Sequence, residues 1–227
     1  MKRHFENELQ GLKTNLIKMG SVAEEAIALA IRALNEGDPD LAQEVIDGDE
    51  RVNELEMEID NGIVDLLALQ QPVAIDLRLI LAAQKINNDL ERIGDHAVNI
   101  AESILGLLRL GAHDNLLEIP KMTAVAQEML RNALDAFIHQ DPHLGRKVLE
   151  QDDTIDAQNR ELVLNVVERM KTDPKMIEQG LELIRISRNL ERVADLATNI
   201  AEDVIFITQA KVVKHHAEEK EEKKENG

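Results

Sequence analysis

The stretch "LERIGDHAVNIAE" at residues 90–102 decides the fold, because the chain repeats it as "LERVADLATNIAE" at 190–202. Leu-Glu-Arg, then Asp, then Ala-x-Asn-Ile-Ala-Glu recur with the same internal spacing. On a helical wheel at about 100° per residue, Glu91, Asp95, Asn99 and Glu102 fall within an arc of about 80°. Ile93, Ala97, Ile100 and Ile104 fall on the far side. The second copy sets Glu191, Asp195, Asn199 and Glu202 against Val193, Ala197, Ile200 and Val204 in the same way. Each copy therefore predicts a helix with an apolar face for a core and an opposite stripe of oxygen-bearing side chains.

The repeat extends outward from there. "VAEEAIALAIRAL" (22–34) matches "VAQEMLRNALDAF" (125–137), and "ALNEGDPDLA" (33–42) matches "AFIHQDPHLG" (136–145), both at an offset of 103. Asp38-Pro39, Asp141-Pro142 and Asp173-Pro174 each place a capping acid before a proline suited to a first helical position. Gln71-Pro72 reads as the same device with a weaker cap. Apolar residues between these marks keep a helical period, and no alternating strand pattern occurs. Six helices are expected at roughly 4–36, 39–70, 72–110, 118–139, 142–171 and 174–214. The fold class is all-α, two tandem pseudo-symmetric three-helix bundles of long helices. The first bundle spans 1–112 and the second 113–212, with a charged, disordered tail expected at 213–227.

Composition narrows the function. The chain has 44 acidic against 26 basic residues and a formal net charge of −18, the wrong sign for nucleic acid or an anionic membrane surface. With three Phe and neither Trp nor Tyr, it lacks the flat faces on which bases stack. No cysteine is present, so disulfides, thiolate metal sites and a cysteine nucleophile are excluded. No apolar run reaches membrane-spanning length and the N-terminus does not read as a signal peptide, so a soluble cytoplasmic protein is expected. No Ser-His-Asp spacing, glycine-rich phosphate loop or His-based zinc motif appears.

The acid stripe has a counterpart on the preceding helix. If the second and third helices of a half run antiparallel about Gln71, Asp49 lies level with Glu91 and Asp95. Counting from Asp173 sets Asp152 level with Glu191 and Asp195, with Asp156 one turn on. Glu25 and Glu128 fall within a turn of the same level. Such oxygen-rich clusters select hard cations such as Fe³⁺, Mn²⁺, Mg²⁺ or Ca²⁺. His96, replaced by Leu196 in the other copy, is not expected to be a common ligand. The competing reading is a solvated acidic face held by Arg92–Asp95 and Arg192–Asp195 pairs. Gly94 and Ala194 read as small contacts for a crossing helix.

Two copies of ERxxDxAxNIAE, the opening "QPVAIDLRLI" (71–80) of the third helix, and "VIDGDERVNELE" with "VLEQDDTIDAQN" resemble the PhoU phosphate-uptake regulators over about residues 3–210. The resemblance implies metal held on the surface by E(D)xxxD motifs, iron foremost and as a multinuclear cluster, with Zn, Mn or Mg as alternatives. It implies a first site of Asp49, Glu91, Asp95 and Asn99, and a second of Asp152, Asp156, Glu191, Asp195 and Asn199. Glu25, Glu102, Glu128 and Glu202 are further candidates. Asn53 stands opposite Asp156, so the first site is expected to be one carboxylate short. The implied role is non-enzymatic control of phosphate uptake and starvation signalling by a homodimer that contacts the phosphate ABC transporter's ATPase subunit and a membrane sensor histidine kinase. The other classes weighed are a metal-free dimeric helical scaffold and a di-iron carboxylate enzyme, the latter disfavoured because no His follows a Glu by three positions.

Overall fold

A computed structural model of the chain describes residues 2–72, 74–111 and 118–209. The described residues form α1 (Lys2–Glu36), α2 (Pro39–Gly48), α3 (Glu50–Gln70), α4 (Ala74–Arg109), α5 (Glu118–His139), α6 (Pro142–Thr172), a 3-10 turn (Pro174–Met176) and α7 (Ile177–Gln209). These are the six expected rods, with the second broken. The break falls at Asp49, which keeps helical dihedrals (φ −60°, ψ −32°) while its N–H reaches only to the Ile46 carbonyl at 3.5 Å. Its counterpart, Asp152, lies inside the unbroken α6. The preceding residue supplies the reason: Gly48, a poor helix former, stands where α6 has Gln151.

The capping acids act as the sequence predicts. Asp38 accepts from the Asp40 N–H at 2.9 Å, Asp141 from the His143 N–H at 2.8 Å, and Asp173 from the Lys175 N–H at 3.1 Å. Gln71 does not cap the third rod; it closes α3 in the left-handed region (φ 47°, ψ 56°), and α4 begins at Ala74. Pro72 disfavours right-handed helical geometry at Gln71, so α3 stops there. Gly37 and Gln140, equivalent by the repeat, share a left-handed φ of 67° and 51°. The boundary expected between 112 and 113, the helix end expected at 214 and the tail at 213–227 lie outside the described residues.

α4 and α7, the two helices that carry the repeated motif, pack side by side between the lobes, and α1 meets α5 alongside them. The apolar faces are buried as the wheel predicts: Ile93, Ala97, Ile100, Ile104, Val193, Ala197, Ile200 and Val204 all lie in the core. That core runs without a gap from Leu12 to Ile207 through both lobes. Glycines permit the close approaches. A methyl group on Gly94 would meet Val52 Cγ1 at 3.1 Å, and one on Gly145 would meet the Ala201 carbonyl at 3.3 Å. Polar links also cross between lobes: Lys85 Nζ donates to Asp203 Oδ1 at 2.6 Å, and Arg131 pairs with Glu24.

Candidate functional site

In the first lobe the acids come from two antiparallel helices. Asp49, just ahead of α3, and Asn53, Glu56 and Asp60 within it follow spacings of four, three and four, which place them on one face. α4 answers with Gln84, Asn87, Glu91 and Asp95. Asn53 Nδ2 donates to Asp49 Oδ2 at 3.0 Å, while Gln84 and Asn87 donate to Asp60 Oδ1 at 2.8 and 2.7 Å. Asp49 lies beside Gly94, since a methyl group there would stand 3.5 Å from Asp49 Oδ1. The level inferred by counting is therefore the level observed.

The charges along this ladder act on one another. Partial burial, then the carboxylates of Asp95, Glu56 and Asp49, push the Glu91 carboxyl above its ordinary range, with Arg92 opposing. Glu56 is raised by burial, Asp60 and Asp95. Glu56 escaped the sequence reading, because its counterpart in the other half is Asn159 and the repeat therefore does not flag it. Asn53 stands opposite Asp156, and a turn further along α3 Glu56 stands opposite Asn159, so each lobe carries a carboxylate where the other has an amide.

The second lobe is arranged differently. Asp152, Asp195, Asn199 and Glu202 line a cleft of about 340 Å³ together with Arg92 and Arg192. Arg192 Nη1 donates to Asp195 Oδ2 at 2.9 Å, as expected. Arg92 takes Asp89 instead of Asp95, at 3.6 Å. Asp156 lies 3.9 Å from Arg160, and Glu191 is half-buried on α7. Asn159, where the first lobe has Glu56, is buried and accepts from Ser187 Oγ at 2.6 Å. Asn99 and Glu102 are exposed. Asn199 donates across the lobes to Asp89, whose carboxyl is pushed up to about 6 chiefly by burial, with Arg92, Asn199 and Lys85 pulling it down and Asp203 pushing it up. His96 Nδ1 sits 2.8 Å from Asn189 Oδ1, which engages the imidazole between the lobes.

Beside Asp49, α1, α2, α3 and α4 enclose a second cleft of about 440 Å³ that includes Glu25 and Glu44. Glu128, the counterpart of Glu25, lies 3.6 Å from Lys147 Nζ. Among the described residues, no three acidic or imidazole side chains stand together in an arrangement ready to hold a metal ion. The donor set itself suits a hard cation. It is all oxygen, and in the first lobe burial and, after it, the neighbouring carboxylates raise the Glu56 and Glu91 carboxyls.

A duplicated helical protein with an acid ladder in each half is the class this geometry defines. The PhoU domain model matches residues 16–104 and 119–204, one copy per lobe. Relatives from Aquifex aeolicus and Pseudomonas putida are 39% and 38% identical, over 95% of this chain and 98% and 84% of theirs; both are called phosphate-specific transport system accessory protein PhoU homologs. The crystal structure of PhoU from Pseudomonas aeruginosa superimposes with a TM-score of 0.88 at 36% identity, covering 91% of this chain and all of that one. A phosphate transport system regulatory protein PhoU from Streptococcus pneumoniae gives 0.86 at 28% identity, covering 93% and 100%. The chain belongs to the PhoU family.

Proposed function

We propose that this chain is a non-enzymatic, metal-binding regulator of phosphate uptake and phosphate-starvation signalling. The acid ladder of the first lobe carries the metal reading. Burial first, and then the carboxylates around them, raise Glu56 and Glu91, with Arg92 opposing at Glu91, and a multivalent cation would stabilise the folded protein by neutralising this cluster. Asp49, Glu91, Asp95 and Asn99 would hold it in the first lobe, with Glu56 added. Asp152, Asp156, Glu191, Asp195 and Asn199 would serve the second, where Asp195 would exchange Arg192 for the metal. Iron in a multinuclear cluster is the first choice, and Zn, Mn or Mg are alternatives.

The transport role is supported by the names of the relatives, which are accessory proteins of phosphate-specific transport. On this reading the chain acts in the cytoplasm as a homodimer that bridges the phosphate ABC transporter's ATPase subunit and a sensor histidine kinase. No described helix is long and apolar enough to cross a membrane. Against a di-iron enzyme stands the direction of the acids, which face away from the apolar core. Deleting the gene tests the role: starvation signalling should become constitutive in phosphate-rich medium, and normal repression in the deletion strain would contradict it.

A further inference from the structure

The cleft of about 440 Å³ in the first lobe has an apolar floor of Val22, Ala26, Leu29, Val45, Val52 and Val98, with Glu25 and Glu44 exposed at its rim. Comparison with the other half of the same chain shows what the cleft lacks. At four of the lining positions, Ala26, Gly48, Val52 and Gly94 stand where the second lobe has Met129, Gln151, Ile155 and Ala194. Each of these four is smaller in the first lobe, while Leu29 and Arg32 of the same lining stand where the second lobe has Asn132 and Asp135. Met129 is fully buried there, while Ala26 leaves the floor open. The rim differs as well. Lys147 replaces Glu44 and lies 3.6 Å from Glu128, whereas Glu25 and Glu44 have no ion-pair partner among the described residues. The second lobe thus supplies its own aliphatic plug and a cation against Glu128, whereas the cation that lines the first cleft, Arg32, is paired with Glu36 at 3.3 Å and leaves Glu25 and Glu44 to a partner.

We infer that this cleft docks a basic amphipathic segment of a partner protein. An aliphatic side chain of the partner takes the place that Met129 fills in the other lobe. A neighbouring lysine or arginine sits between Glu25 and Glu44, as Lys147 sits against Glu128. The volume lies in the range of recognised binding pockets, and helix-in-groove recognition combines an apolar anchor with flanking charge in this way. The chain's net charge of −18 favours a basic partner over an acidic one. The inference rests on the adapter reading only for the existence of a protein partner, and its test does not use the signalling phenotype.

The test is an NMR titration of the ¹⁵N-labelled full chain with an alanine-based helical peptide that carries leucine and lysine four residues apart. Saturable shifts are expected at the amides around residues 25, 44 and 48. Replacing the peptide's leucine by alanine, or its lysine by glutamate, should weaken binding by about tenfold or more. Glu44→Lys and Ala26→Met, which copy the second lobe, should do the same from the protein side. Both leave Asp49, Glu91 and Asp95 in place, so failure here would not touch the metal reading. Non-saturating shifts, or equal binding by the Glu44→Lys protein, would overturn the inference. Equal shifts with free n-butylammonium would assign the cleft to small amines and contradict protein docking.

Discussion

Asp89 and Glu56 show how a single position departs from the repeat. Asp89 is buried between α4 and α7, with its carboxyl pushed up to about 6. Because the folded chain holds this proton more tightly than the unfolded chain, the group's stabilising contribution is full below about 4 and is lost as pH rises through about 6. Asp89→Asn should therefore gain stability relative to wild type as pH is raised from about 4 to 7, by up to about 3 kcal/mol in urea unfolding. A difference independent of pH would contradict the assignment. Neither residue was legible beforehand, because Asp89 and Glu56 pair with Asn189 and Asn159 in the other copy. Identity between the halves flags what they share, and it is silent on a charge present in only one. The choice of Asp89 by Arg92 escaped for a related reason: local i,i+3 spacing allows both Asp89 and Asp95, and burial at the lobe interface decides between them.

Elements were more legible than partners. Asp-Pro caps fixed the starts of α2 and α6 because the proline φ and the acid's hydrogen bond both act locally. The break between α2 and α3 was missed, since it follows from Gly48 and a rod can bend there without leaving helical dihedrals. The reversals before the caps carry their own consequence. Gly37 occupies a left-handed position freely, whereas Gln140 holds a φ of 51° with a side chain attached. Gln140→Gly should stabilise the protein by about 0.5–1 kcal/mol, because relief of the left-handed strain outweighs the added freedom of glycine in the unfolded chain. Thermal unfolding would show it, and a lower midpoint would contradict it.

At the scale of the whole molecule, the duplication seen in the sequence builds two lobes that do not stand apart. Their apolar core is continuous, and the helices bearing the repeated motif meet each other between the lobes. Ile86, Leu90, Ile93, Ala97 and Ile100 are all buried, so the lobes should unfold together. Calorimetry should give a single transition, and two resolved ones would show that the lobes are independent.

The same central packing turns the acid stripes outward in both halves, and the account rests on their holding cations there. Elemental analysis of protein purified without chelator or affinity tag tests this most directly, with wild type compared against an Asp95→Ala plus Asp195→Ala variant. The account predicts bound hard metal, iron foremost, in the wild type and its loss in the variant. Equal metal content in the two proteins, or none in either, would contradict it.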